Sequence, residues 1–157
     1  MSNRKIRVRD AKPRDIGLFK KLWRSNLEEN EKAGSIVAST EKNLASVEAT
    51  YNFYISGELE GFAFFVGDYG VLLVGTTGAA AEYNCGKTAM LWGMFIREDK
   101  RKGGVATALI EEAKKRLKAA GFDSVIVPFT VSNEAAGSFA LKLEAKPIFM
   151  SVRVDLD

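Results

Sequence analysis

A basic glycine loop joins a strand-like segment to a helix-like segment in the second half of the chain. The loop is Arg101–Ala106 (Arg-Lys-Gly-Gly-Val-Ala), and the apolar run before it ends at Ile96. The first amides of a helix lack acceptors within the helix, and the helix dipole adds partial positive charge at the same end. Gly103 and Gly104 remove side chains that would hold an anion away. The loop therefore predicts a pyrophosphate-binding turn, against the plainer alternative of an ordinary connection.

The composition fits a single domain over residues 1–157 and restricts its chemistry. With 157 residues, of which 46% are apolar and 27% charged, the chain is long enough for one core and short for two. It has no histidine, which excludes histidine-based metal sites and the Ser-His and Cys-His triads. Its one cysteine, Cys85, excludes an intramolecular disulfide. We therefore expect no metal, and acid–base chemistry by carboxylate, tyrosine, cysteine, lysine or water.

Charge and hydropathy indicate the class of ligand and the cellular location of the chain. The 23 basic and 20 acidic residues give a net charge of +3, which does not require a nucleic-acid partner but favours anionic ligands. The N-terminus lacks the apolar core of a signal peptide, and no apolar stretch approaches the roughly 20 residues that span a bilayer. We expect no membrane partner and a cytoplasmic location.

The first half of the chain predicts a strand and a helix, followed by a second helix and a hairpin. Alternation at Ile6–Arg9 is typical of a half-buried strand. Pro13 suits the first turn of a helix. The apolar stripe of that helix has spacings of three and four residues and consists of Ile16, Phe19, Leu22, Trp23 and Leu27.

Ser39 or Thr40 is a suitable cap for the second helix, which we expect to end before Tyr51. Aromatic and β-branched residues flank a Ser-Gly-Glu turn at 56–58. This pattern predicts a hairpin with arms Tyr51–Ile55 and Leu59–Val66. Val71–Val74 either extends the hairpin or adds a short strand.

The second half predicts alternating strands and helices around the glycine loop. Gly75–Lys87 lacks a strand period and is expected to be a long loop that borders the site. Ala89–Ile96 predicts a central strand buried on both faces, with a bulge tolerated at Gly93. The remaining elements are a helix with Val105, Leu109, Ala113 and Leu117 on one face and Gly121 at its end, a strand at Ser124–Thr130, a helix at Asn133–Lys142 and a strand at Ile148–Leu156.

Three matches in this order of elements carry a family resemblance. Arg101–Ala106 fits the signature Gln/Arg-x-x-Gly-x-Gly/Ala, and Ile96 stands five residues before the arginine. Asn133–Phe139 fits Asn-x-x-Ala-x-x-Phe, with Lys142-Leu143 following. Together they cover roughly Ala89–Pro147, and this part of the chain resembles the GNAT superfamily of acyl-CoA-dependent N-acetyltransferases. The resemblance implies an α+β (mixed α/β), three-layer fold with a central, mostly antiparallel, splayed sheet and about four flanking helices.

The resemblance also implies acetyl-CoA as cosubstrate. Amides of the glycine loop would hold the CoA pyrophosphate, the preceding strand would line the pantetheine arm, and Asn133 would hydrogen-bond the arm or the sheet edge, cap its own helix, or both. Arg101 and Lys102 add charge-assisted contacts or are merely solvated, and the Thr107 hydroxyl reaches an oxygen or caps locally. The implied cofactor residues are Phe95, Ile96, Arg97, Arg101, Lys102, Gly103, Gly104, Val105, Ala106, Thr107 and Asn133.

The sequence departs from the family's pattern at the general acid. The tyrosine that commonly follows Phe139 and protonates the departing thiolate is replaced by Ala140. Ser138 is a far weaker acid. A thiolate with a pKa near 8 to 9 can leave unassisted or take a proton from water.

A second departure concerns the general base. Met90 occupies the position where family members often place glutamate. We favour Glu82 as the catalytic base because it lies in the loop that enters the central strand, with Tyr83, Glu98 or a water chain as alternatives. Cys85 would permit a ping-pong acyl-enzyme, but nothing activates it, and an incidental small residue is the favoured interpretation.

The function favoured by these patterns is transfer of an acetyl group from acetyl-CoA to a primary amine by direct attack. The acceptor is a small molecule, an antibiotic, a peptide N-terminus, a lysine or a modified nucleobase. The alternative is an acyl-CoA-binding sensor or scaffold without turnover. A homodimer stays open. Nucleic-acid binding is disfavoured because the basic residues of the long helix fit an ordinary solvated face.

Aromatic residues are the remaining candidates for the acceptor pocket. Trp92 and Phe95 lie on the expected central strand, where core packing is the better interpretation. Tyr51, Phe53 and Tyr54 likewise either line the acceptor pocket or pack in the core.

Overall fold

The computed structural model describes residues 5–76 and 86–156. Its centre is one sheet of five strands in the order β1-β2-β3-β4-β5, antiparallel from β1 to β4 and parallel between β4 and β5. The strands are β1 (Val8–Asp10), β2 (Gly61–Val66), β3 (Gly70–Gly75), β4 (Thr88–Ile96) and β5 (Ser124–Ile126).

Helices cover both faces of this sheet. They are α1 (Ile16–Lys32), α2 (Glu41–Ser56), α3 (Val105–Ala119) and α4 (Glu134–Lys142), with short 3₁₀ turns at Pro13–Asp15 and Glu98–Lys100. No described helix is long and apolar enough to cross a membrane. The α+β, three-layer expectation with four flanking helices is confirmed.

The two cores follow from the alternation of side chains along the strands. On one face, Phe65, Leu73 and Phe95 pack against α1 and α2. On the other face, Phe64 and Leu72 pack against the apolar stripe of α3. The α3 stripe predicted from the sequence is buried throughout: Val105, Leu109, Ala113 and Leu117.

The hairpin predicted to start at Tyr51 is wrong, because α2 continues to Ser56. Leu44, Tyr51 and Tyr54 are buried, and their helical spacing places them on the side that packs on the sheet. This burial outweighs the β propensity of the aromatic residues. Gly57, with φ +79°, ends the helix as a left-handed cap. The observed hairpin is β2 with β3.

A bulge interrupts β4 at Trp92. Leu73 faces Gly93 and Val74 faces Leu91, so Trp92 has no opposite residue on β3. The bulge thus lies next to the glycine where the sequence allowed one. Trp92 remains 39% exposed, so the expectation that β4 is buried on both faces is wrong at this point.

The parallel pair β4 and β5 separates soon after it begins. The pairing runs from Thr88 opposite Ser124 to Met90 opposite Ile126 and stops. The predicted strand to Thr130 is therefore too long, since Pro128 lacks the N–H that a ladder needs. Within the described residues, β4 has no neighbour along its outer edge from Leu91 to Ile96. This opening between the two strands is hereafter called the cleft.

The predicted strand Ile148–Leu156 is also wrong, because these residues form no strand and pair with no described segment. The alternating pattern marks a face that needs a partner, and a strand is stable only when a neighbour supplies its hydrogen bonds. Without one, the apolar side chains of this segment are exposed: Ile148, Phe149, Met150, Val152, Val154 and Leu156.

We expect Gly93→Ala to lower the free energy of unfolding by about 1–3 kcal/mol, because a new methyl group would overpack the contact between β4 and α1. A Cβ at Gly93 would stand 2.9 Å from the Trp23 ring, which is itself buried. The measurement is urea denaturation.

Gly17→Ala is the matched control, because a Cβ at this exposed position of α1 meets no atom within 4 Å. There the same change should raise stability by about 0.5–1 kcal/mol through helix propensity. Equal effects at the two positions would contradict the close packing of α1 on the bulge.

Candidate active site

The glycine loop adopts two left-handed residues before α3 begins. Lys102 has φ +63° and Gly104 has φ +82°. A positive φ is uncommon for a residue with a side chain, so the surrounding structure must hold the Lys102 backbone in this disfavoured conformation. Gly104 is the N-cap of α3 and no side chain caps the helix. The turn thus leads into α3 and leaves the first amides of this helix without a side-chain cap.

The amides of Lys102–Thr107 have no acceptor among the described residues. The first helical bond is donated by the amide of Ala108 to the carbonyl of Gly104. The Thr107 hydroxyl forms no hydrogen bond with a described residue, so the local cap considered from the sequence is not formed. A row of free donors at the positive end of a 15-residue helix is a suitable site for a phosphate.

The two basic residues of the loop differ in their surroundings. Arg101 donates from Nε to the carbonyl oxygen of Ile96 at 2.8 Å and forms an ion pair with Glu29 of α1. Its charge is therefore already partnered, and it ties the loop to both β4 and α1. Lys102 is exposed and forms no ion pair with a described residue. Of the two, Lys102 is the better placed to meet an anion.

The end of β4 presents alternate peptide groups to the cleft. The Arg97 amide donates to the Tyr69 carbonyl at 2.8 Å, so Arg97 faces away from the cleft. The N–H and C=O of one strand residue point to the same side and those of the next residue to the opposite side, which directs the N–H and C=O of Ile96 to the cleft. Phe95 has its side chain in the core with α1 and α2. Among the three predicted residues, Ile96 is the one with peptide groups available to a ligand, and its carbonyl already accepts from Arg101.

Asn133 is the N-cap of α4, as one interpretation of the sequence held. Its Oδ1 accepts from the Ala136 amide at 3.1 Å, and its Nδ2 donates to Asn30 Oδ1 at 3.3 Å. The neighbouring Ser132 hydroxyl donates to the carbonyl of Ala33. These contacts join the segment after β5 to the end of α1.

A second polar contact lies on the α1–α2 side of the bulge. Trp92 Nε1 donates to the Tyr54 hydroxyl at 2.7 Å, and that hydroxyl donates to the Thr76 carbonyl. The Tyr54 ring packs against Gly61 and Gly75, where any Cβ would clash with it. Burial raises the pKa of Tyr54 above that of a free tyrosine. Tyr54 is thus a protonated hydroxyl that holds Trp92, and not a base.

The predicted acid–base residues are only partly described. Glu82, Tyr83 and Cys85 lie outside the described residues. Glu98 is exposed and begins the 3₁₀ turn that leads into the glycine loop. Ala140 is buried in α4, where a methyl group donates no proton. The described residues contain no group of carboxylates and thiols that could hold a metal.

Comparison with protein families identifies the family of this chain. The description "Acetyltransferase (GNAT) family" matches residues 18–144 of the chain. The chain belongs to the GNAT acetyltransferase family. A search of curated proteins gives no significant match.

Solved structures share the fold of this GNAT chain. A mutant of the BH1408 protein from Bacillus halodurans is 18% identical, with 96% of this chain and 99% of that chain covered and a TM-score of 0.77. A predicted acetyltransferase from Clostridium acetobutylicum, solved with acetyl-CoA, is 11% identical with 96% coverage of both chains and a TM-score of 0.74.

A third similar structure contains an analogue of both substrates. The enzyme AAC(6')-Iy, in complex with the bisubstrate analogue CoA-S-monomethyl-acetylneamine, is 12% identical, with 98% of this chain and 99% of that chain covered and a TM-score of 0.68. At these identities the likeness establishes the fold alone.

Proposed function

We propose that this GNAT chain is an N-acetyltransferase that moves an acetyl group from acetyl-CoA to a primary amine by direct attack. The observation that carries the proposal is the row of unpaired amides at Lys102–Thr107 beside the open edge of β4. Two of the similar structures, those solved with acetyl-CoA and with a CoA-containing analogue, support the choice of cosubstrate. We include a cytoplasmic location and a single domain in the same proposal.

The cofactor would bind along the cleft. Its pyrophosphate would accept from the loop amides, with the Thr107 hydroxyl and the Lys102 ammonium close by. Its pantetheine arm would run beside β4 and meet the peptide groups of Ile96. Asn133 keeps one Nδ2 hydrogen and part of Oδ1 for the arm while it caps α4. Arg101 would act through Ile96 and Glu29, by shaping the loop.

The chemical step needs little from ionisable side chains. A neutral amine attacks the thioester carbonyl and the C–N bond forms, the nitrogen gives up one proton to the base, and the C–S bond then breaks to release CoA thiolate. Dipoles fixed around the bulge and the proximity of the two substrates would supply most of the acceleration. With Ala140 in place of a tyrosine, the thiolate leaves unassisted or is protonated by water. Glu82 stays our prediction for the base, with Tyr83, Glu98 or water as alternatives.

The acceptor would approach at the bulge, from the side of α1 and α2. Trp92 is partly exposed there and is held by Tyr54, and Phe53 of α2 is exposed on the same layer. Such a site suits a small-molecule or peptide amine, in line with the acetylneamine analogue bound by AAC(6')-Iy. A homodimer is compatible with this arrangement.

The second candidate function is an acyl-CoA sensor or scaffold. It is favoured by one observation, the absence of ionisable side chains at both usual acid–base positions, Ala140 and Met90. The sensor would bind acetyl-CoA in the same cleft without turnover.

We expect Gly104→Asp to raise the Kd for CoA by about 100-fold, measured by calorimetry. A carboxylate placed against a diphosphate near the surface costs on the order of 3 kcal/mol, and each 1.4 kcal/mol is tenfold in Kd.

Gly121→Asp is the matched control at the other end of α3. Both glycines have φ +82° and both are exposed, so the backbone strain and the added charge are the same. This variant should leave the Kd within about twofold of the original protein. Equal loss of affinity in the two variants would contradict the placement of the pyrophosphate at the loop.

Turnover separates the enzyme from the sensor. We expect release of free thiol from acetyl-CoA when the protein meets at least one class in a panel of aminoglycosides, polyamines, peptides and lysine derivatives, with acetamide formed in equal amount. The control is the Gly104→Asp variant, which should lose this release at the same acetyl-CoA concentration. Tight acetyl-CoA binding with no release beyond background would support the sensor.

A further inference from the structure

Asn26 of α1 is the one polar side chain that is buried among the described residues, with 8% of its surface exposed. It stands within the apolar stripe of α1, between Trp23 and Leu27. Its Nδ2 lies against the bulge of β4, since a Cβ built on Gly93 would be 3.2 Å from that nitrogen. A carboxamide at this depth requires partners, because a buried polar group without one is costly.

The orientation of the Asn26 carboxamide is fixed by a chain of hydrogen bonds that starts at α4. Asn133 Oδ1 accepts from a backbone amide, which leaves Asn133 Nδ2 to donate to Asn30 Oδ1. Asn30 Nδ2 must then donate, and it reaches the Asn26 carbonyl at 2.9 Å and Asn26 Oδ1 at 3.1 Å. The orientation of each carboxamide thus determines which atom of the next carboxamide donates and which accepts. The chain therefore ends with Asn26 Nδ2 as a donor.

This last donor has no acceptor within residues 5–76 and 86–156. The described part of the molecule also has no side-chain nitrogen or oxygen that is both sealed from solvent and without a partner. The Asn26 nitrogen therefore keeps some surface open to solvent, and it lies next to Gly93 of the bulge. A preorganised N–H donor there matches a ligand atom that accepts hydrogen bonds.

We propose that Asn26 Nδ2 donates to the carbonyl oxygen of the bound acyl thioester, with Asn30 and Asn133 as positioning residues. The inference rests on the proposed function and names a contact at the reacting atoms. The neutral amine needs its lone pair for the attack, so an N–H donor bound to that lone pair would block the reaction, whereas a donor to the thioester carbonyl oxygen assists it.

The contact strengthens as the reaction proceeds. When the amine nitrogen bonds to the carbonyl carbon, the carbonyl electron pair moves onto oxygen, where Asn26 Nδ2 meets it. The pair returns when the C–S bond breaks and the thiolate leaves. Because the donor is held from α4 and cannot ionise, it needs no rearrangement during the step.

The test is the infrared stretch of the thioester carbonyl in acetyl-CoA labelled with ¹³C at that carbon. Bound to the original protein, the stretch should lie below that of free acetyl-CoA, because a hydrogen bond weakens the C=O bond. In Asn26→Leu, which removes the donor at similar volume, most of that shift should disappear. The preference for acetyl-CoA over CoA should fall about fivefold, as expected for one lost hydrogen bond.

Two further variants separate this contact from a structural role. Asn30→Asp keeps Asn26 but offers it a carboxylate, so Asn26 should turn its Nδ2 away from the cleft and the shift should again disappear. Asn43→Asp makes the same chemical change in α2, where Asn43 donates to the Ala38 carbonyl at 2.7 Å. It should leave the stretch unchanged.

The outcomes distinguish the two proposals. If acetyl-CoA binds and its carbonyl stretch is the same in the original protein, Asn26→Leu and Asn30→Asp, the Asn26 contact is wrong while the proposed cofactor site stands. If only Asn26→Leu fails to fold, the spectrum of Asn30→Asp decides alone. If the folded original protein binds no acetyl-CoA, the proposed function fails and this inference with it.

Discussion

The early separation of β4 from β5 creates the cleft around which α1, the glycine loop and α4 are placed. The two strands pair over three residue pairs and then part. Backbone N–H and C=O groups inside a protein need hydrogen-bond partners. At an open edge in the middle of a sheet, these partners must come from a group other than a neighbouring strand. Arg101 meets one such group, the carbonyl of Ile96. Along the rest of this edge, β4 pairs with no residue in the described part of the chain.

Helix α1 contacts β4, the glycine loop and the start of α4. It approaches β4 at Gly93, where the absence of a side chain lets Trp23 pack closely on the strand. Near its end it binds the glycine loop through Glu29 and the start of α4 through Asn30. Because one helix contacts both the glycine loop and the segment after β5, these two segments are held in place before any ligand binds. The exposed Glu29–Arg101 pair contributes mainly geometry, since such pairs add little stability.

Features with a local cause could be predicted from the sequence. The glycine loop, the stripe of α3 and the cap at Asn133 each depend on residues within one or two turns. Tyr51 and Tyr54 were assigned to a strand because their helical burial depends on a sheet that is distant in sequence. The extent of β5 and of Ile148–Leu156 depends on neighbouring strands for the same reason. Asn26 was missed, although an asparagine among Trp23 and Leu27 on an apolar face was a visible signal.

The proposed function requires the uncovered amides of Lys102–Thr107 to bind the diphosphate of CoA. The most direct measurement is a titration of the ¹⁵N-labelled protein with CoA, followed by amide NMR, beside a titration with pantetheine, which lacks the diphosphate. We expect the largest changes in amide shift on Lys102–Thr107 with CoA, and no change in this segment with pantetheine. Saturable CoA binding that leaves these amides unchanged would contradict it.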